Sequence, residues 1–187
     1  MNRQKTNKNK GVSKGQWLAK ALETLGTEGF EAIKIDRLAK QLGISRSGFY
    51  YHFKDRQDLL QHLLDYWANE YTAVITDSLD MKKLDAEKRL FITMKKVKDK
   101  KLAQYDLSMT GWAKVDPLVN EIVKKVVTMR LDYIRQIFKE LGFSGDELEM
   151  RARLHLCYHA WEEVTFVDDN SDEYARLQKL RHKMFIT

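Results

Sequence analysis

Within eleven residues, 46–56, the chain gathers Arg46, Ser47, Tyr50, Tyr51, His52, Lys54 and Arg56. These are hydrogen-bond donors, aromatic faces and positive charges, the groups that reach base edges and phosphate oxygens. They follow a tight Gly43-Ile44-Ser45 turn, and Phe49 and Phe53 fall among them at i,i+4. That spacing puts both phenylalanines on one buried face and leaves Arg46, Ser47, Tyr50 and Tyr51 outside. A short helix this rich in polar and aromatic groups is poor core material and suits the major groove of DNA.

A second constellation lies far along the chain. His155, His159 and Glu163 recur at i, i+4 and i+8, with Cys157 close by. The spacing stacks two imidazoles on one helix face, as metal sites require. The same residues also suit a dimer interface, a solvated face or the wall of a cavity, and anchoring a small molecule is preferred to holding a metal. The run from Lys95 to Lys101 reads as a solvated helix face. Catalytic patterns are missing: no Gly-rich phosphate loop, no His-Glu-x-x-His and no Gly-x-Ser-x-Gly. Glu162-Glu163 reads as helix surface. An enzyme is not expected.

The elements that must position these groups are helical. One proline and nine glycines in 187 residues leave few breakers. Ser13 and Gln16 have capping-box spacing for a first helix whose apolar positions are Trp17, Leu18, Ala21, Leu22 and Leu25. Gly26 and Gly29 are expected to end it. A second helix is expected over 36–42, with Gly43 as its left-handed terminator, and a third over 46–52, capped by Ser45. Asp55 starts a long fourth helix, 56–78, and further helices are expected over 84–102, 104–113, 117–141, 145–167 and 171–185. No repeat and no strand alternation is present.

Charge is unevenly divided. Residues 1–56 hold 12 Lys/Arg against 5 Asp/Glu, and the remaining chain holds 21 against 22. The positive surplus surrounds the helix pair, as a phosphate-facing segment requires. Cys157 is the only cysteine, so no intrachain disulfide can form and a reducing, cytoplasmic setting is expected. The basic start lacks an apolar signal region, and no apolar run is long enough for a bilayer.

The stretch Leu38-Ala39-x-x-Leu42-Gly43-Ile44-Ser45-x-Ser47-Gly48-Phe49-Tyr50-x-His52-Phe53-x-x-Arg56-x-x-Leu59-Leu60 resembles the DNA-binding domain of the TetR family of bacterial transcriptional regulators. The resemblance covers roughly residues 13–62. It implies that Tyr50 and Tyr51 approach bases and backbone, that Arg46 and Ser47 lie nearest the groove floor, and that His52, Lys54 and Arg56 hold phosphates, with Ser45 also among the DNA-binding residues. The family usually has a Thr where this chain has Lys34 and Ile35. Lys34 replaces that phosphate contact by charge, which leaves the capping role to Asp36. Gly48 stands where the family often has a bulkier residue, and it lets the backbone approach DNA.

The resemblance implies an all-α protein of about nine helices: a three-helix DNA-binding head joined to a larger helical bundle. Its expected division is a flexible basic arm (1–10), a head (11–71, with the helix-turn-helix at 34–53) and a ligand-binding and dimerisation domain (72–187). Aromatic and Met side chains on helical faces supply candidates for an effector cavity. They are Trp67, Tyr71, Phe91, Met94, Tyr105, Met109, Trp112, Tyr133 and Tyr158, with His155 and His159. Candidates for the dimer interface are Leu148, Leu154, Trp161, Val164, Tyr174, Leu177, Leu180 and Met184. The expected function is a homodimeric, ligand-responsive repressor on a palindromic operator, with a small-molecule effector, no resident cofactor and no membrane. The alternative is a small-molecule or metal-binding helical protein whose basic head is not a specific DNA reader.

Overall fold

Ser13 starts the first helix as its spacing predicts. The computed structural model describes residues 11–71, 83–166 and 172–187. In α1 (Lys14–Glu28) the Ser13 hydroxyl accepts from the Gln16 amide, and the Gln16 side chain accepts from the Ser13 amide at 2.9 Å. The five apolar positions named for this helix are all buried. A 3-10 turn, Phe30–Ala32, leads to α2 (Ile35–Gln41). Gly43, at φ +69°, closes α2 with bonds from Gly43 N–H to Lys40 C=O and from Ile44 N–H to Ala39 C=O. This is the Schellman pattern, and a side chain with a β-carbon is strained there.

The third helix is shorter than its pattern suggests. Helical α3 covers only Ser47–Tyr50, although turn bonds continue as far as Phe53. Ser45 does not cap it: the Ser45 and Ser47 hydroxyls pair with each other at 2.7 Å. Likewise Asp36 is not the cap of α2, because Lys34 occupies that position and makes no side-chain bond there. Asp55 does cap α4 (Arg56–Tyr66), accepting from the Asp58 amide at 2.9 Å. One π-helical turn follows at Trp67–Tyr71, so the α-helical ladder is interrupted at residue 67; the expected end at 78 lies outside the described residues.

Five more helices follow among the described residues: α5 (Ala86–Asp99), α6 (Leu102–Ala113), α7 (Pro117–Glu140), α8 (Gly145–Thr165) and α9 (Asp172–Ile186). The described residues therefore contain nine α-helices and no strand. None of these helices is long and apolar enough to cross a membrane. The arm 1–10, the expected boundary at 72 and the side chains of Tyr71, Glu163 and Val164 lie outside what is described.

Two apolar cores hold these helices. The larger joins Trp17, Leu22, Phe49, Phe53 and Leu63 of the head to Met109, Trp112, Val119 and Val126 of α6 and α7. The smaller unites Leu90, Met94, Ile134, Ile137, Phe138 and Ala152. Packing thus crosses the expected division between head and bundle. Phe30 stacks flat on Trp112, with ring centroids 5.6 Å apart.

Gly26 does not end α1; it lies inside the helix, against Tyr105 of α6. A β-carbon there would sit 2.9 Å from the Tyr105 ring, so the missing side chain permits the close approach. Gly26→Val should lower unfolding free energy by about 1–3 kcal/mol through overpacking. Gly15→Ala, on the same helix with nothing within 4 Å, should instead raise it by about 0.5 kcal/mol. Chemical denaturation of both variants measures the contrast.

Candidate functional site

The head presents its polar groups as a separated set. Phe49 and Phe53 are buried, with ring centroids 5.2 Å apart, and Trp17 meets Phe49 edge-on. With that face anchored, Tyr51 is 87% exposed and Tyr50 50%. Arg46 donates from Nη2 to the Tyr50 hydroxyl at 2.8 Å, and its Nη1 lies 3.6 Å from Asp36. Arg46 and Tyr50 therefore form one pre-positioned unit on the exposed side, with Ser45 and Ser47 beside them. Gly48 is half-buried, and a β-carbon on it would lie 3.1 Å from Ile44 Cδ1. Its smallness serves the turn's own packing.

The four residues considered for phosphates divide into two pairs. Lys34 and Lys54 are exposed. His52 and Arg56 are half-buried and committed to the scaffold. His52 donates from Nε2 to the Val12 carbonyl at 2.8 Å. Arg56 donates to the carbonyls of Ile33 (2.7 Å) and Phe30 (3.0 Å), tying the start of α4 to the linker before α2. Periodicity gave no hint of these roles, since all three acceptors are backbone carbonyls far away in sequence.

Behind the head lies a cavity of about 280 Å³. Of the residues expected to line it, Trp67, Met94, Tyr133, His155 and His159 do so. Met109 and Trp112 belong to the larger core, Tyr105 packs on Gly26, and Phe91 is exposed beside His182. Tyr158 turns instead to a groove between α8 and α9.

Charged residues not anticipated also border the cavity. Arg130 of α7 is buried and donates to Asp106 at 2.5 Å, while the Trp67 indole donates to the same carboxylate at 3.2 Å. The signal was present in the sequence: Val126, Arg130 and Ile134 follow at i,i+4, placing a charge within an apolar stripe.

Of the expected histidine cluster, His155 and His159 come together, and the Glu163 side chain lies outside what is described. His155 and His159 are 3% and 9% exposed, with ring centroids 4.7 Å apart. Their acidic neighbour is Glu162, which is buried rather than on the surface and lies 3.2 Å from His159 Nδ1. The step from 159 to 162 continues the 152–155–159 stripe, whereas a strict i+4 count points to Glu163. Glu162 also accepts from Arg181 and from the Tyr174 hydroxyl. Among the described residues no group of three His, Cys, Asp or Glu could hold a metal.

On α8 and α9, Leu154, Leu177, Leu180 and Met184 are exposed along one apolar groove, joined by Met150. Trp161 is exposed and also borders the cavity. Leu148 packs inward on the smaller core, and Tyr174 is held inward by Glu162 and lies beneath Lys98.

Residues 18–63 match the family described as "Bacterial regulatory proteins, tetR family". These residues are a TetR-family helix-turn-helix domain. Over most of its length the chain also follows the fold of solved TetR-family transcriptional regulators. A transcriptional regulator from Rhodococcus sp. Rha1 superposes with a TM-score of 0.70 at 18% identity, over 94% of this chain and 96% of that one. AibR, solved with isovaleryl coenzyme A and operator DNA, gives 0.67 at 13% identity, over 91% and 96%. FadR from Bacillus subtilis, solved with stearoyl-CoA, gives 0.62 at 16% identity, over 94% and 98%. No curated protein matches the sequence.

Burial shapes the titration of the histidine cluster. It pushes His155 well below the ordinary imidazole value of 6.5, helped by the neighbouring His159, Arg181 and His182. His159 is pushed down by burial too, although its bond to Glu162 opposes the shift. Burial alone would raise Glu162, but the His159 bond and the Arg181 charge outweigh it and hold the carboxyl below 4.5. The unfolded chain therefore binds more protons than the folded one below about pH 6.5. Stability from the two imidazoles is complete above that pH and is lost as pH falls toward their folded values; Glu162 adds a loss at lower pH. The urea midpoint should drop between about pH 7.5 and 5.5, and His155→Leu should flatten that drop.

Proposed function

We propose that this TetR-type protein is a homodimeric, effector-responsive regulator, acting in the cytoplasm as a repressor on a palindromic operator. The observation that carries the reading is the double membership of α4. Its first turn fixes the linker before the recognition pair through Arg56, and Trp67, just past its end, borders the cavity and donates to Asp106. An occupant that moves Trp67 acts on the head through one helix. The effector then controls DNA affinity to the extent that it binds one head position better than the other. AibR and FadR, with their coenzyme A thioesters, and AibR with its operator, offer the analogy for such coupling.

In this reading Arg46, Ser47, Tyr50 and Tyr51 face the major groove, and Lys34 and Lys54 take phosphates. Ser45 and Gly48 shape the turn, while His52 and Arg56 hold the head together. The apolar groove of Leu154, Leu177, Leu180 and Met184 pairs with its copy across a two-fold axis, as helix-pair interfaces do. Two recognition helices then meet successive major grooves about 34–36 Å apart.

The test is fluorescence anisotropy on the DNA upstream of the protein's own gene. Tyr51→Ala should cost about 1–3 kcal/mol of specific binding while unfolding stability stays unchanged. Lys54→Ala should weaken binding to every sequence and reduce the salt slope by about 0.9. Only weak binding, indifferent to sequence, would favour a ligand-binding protein with an incidental basic head. By sedimentation, Leu180→Asp should turn a dimer into a monomer; a monomeric unaltered protein would remove the two-fold model.

A further inference from the structure

The cavity's wall is chemically uneven in a way that selects its occupant. Most of it is apolar, including Met94, Val97, Leu102 and Ile134. Its charged groups already face opposite charges: Arg130 meets Asp106, and beside the cavity Glu162 meets Arg181. A carboxylate or an ammonium placed here would bring a buried charge without a counter-charge of its own, which is strongly disfavoured.

Two imidazole nitrogens are the neutral polar atoms of interest. Nε2 of His155 and Nε2 of His159 are buried and have no hydrogen-bond partner in the protein. Both residues line the cavity, and both are more than nine-tenths buried. Buried polar atoms in folded proteins nearly always find a partner. Glu162 settles what kind His159 needs. The carboxylate of Glu162 lies 3.2 Å from Nδ1, and its negative charge there favours the tautomer with the proton on Nδ1, which leaves Nε2 as an acceptor. The missing partner is therefore a donor. A metal ion is a poorer fit, because the described residues offer no group of three His, Cys, Asp or Glu able to hold one, and Glu162 is already engaged at Nδ1 and by Arg181.

We propose that the cavity binds an uncharged, largely apolar molecule that donates a hydroxyl or N–H hydrogen to His159 Nε2, with His155 Nε2 as a second anchor. A hydroxyl suits both atoms, because it can donate to one and accept from the other. The size agrees with a compact guest: a cavity of about 150 Å³ already holds benzene, and this one measures about 280 Å³. This ligand class rests on the effector reading given above, and it departs from the charged thioesters seen with AibR and FadR.

The test compares three probes of similar shape on the unaltered protein by isothermal titration: 4-butylphenol, butylbenzene and 4-butylbenzoate. The phenol should bind at least tenfold tighter than either of the others. His159→Phe should bring the phenol down to the level of butylbenzene while leaving butylbenzene within threefold. The unaltered protein decides the question even where the variant does not fold. Equal binding of phenol and butylbenzene, tighter binding of the benzoate, no binding by any probe, or displacement of the phenol by zinc chloride would each overturn the proposal. Operator binding measured with and without 4-butylphenol separates the two readings. A phenol that binds with the expected preference but leaves DNA affinity unchanged upholds the ligand class and removes the effector role.

Discussion

Helix α4 belongs to two environments at once, and the rest of the architecture depends on that sharing. Leu59, Leu60, Leu63 and Leu64 fill the core behind the recognition helix. Three residues later Trp67 is still buried in the same core, yet it also walls the cavity. A buried indole N–H needs an acceptor, and Asp106 supplies one. Asp106 in turn balances Arg130, whose guanidinium lies 5.4 Å from the centre of the Trp67 ring. Because the interior is close-packed, these groups cannot be displaced one at a time.

The head was legible in the sequence because its signals are local. Capping boxes, Schellman glycines and i,i+4 aromatics are set by backbone geometry within a few residues, and Ser13, Gly43, Asp55, Phe49 and Phe53 all follow those rules. Errors arose where a side chain answers to a distant backbone group. His52 and Arg56 are spent on Val12, Phe30 and Ile33, up to 40 residues away in sequence. Gly26 looked like punctuation because the Tyr105 ring that explains it lies on another element.

The bundle was less legible for a different reason. Apolar stripes show which face of a helix is hidden, but not whether a core, a cavity or a second subunit hides it. Met109 and Met94 look alike in sequence, yet one fills the larger core and the other borders the cavity. The charged exceptions were the better guide. Arg130 and Glu162 interrupt their stripes, and both mark buried polar networks, where a lone charge would be too costly to keep.

The contact between Gly26 and Tyr105 gives the head a fulcrum. A rigid motion of the head that preserves this contact is a tilt about it rather than a slide past it. Helix α4, at eleven residues, is a rod about 16 Å long. A 1 Å sideways push at its Trp67 end therefore turns it by only about 3–4°. Under the proposed effector control, the guest's bulk would set the push at Trp67 and the rod's length would scale that push down to a few degrees at the head.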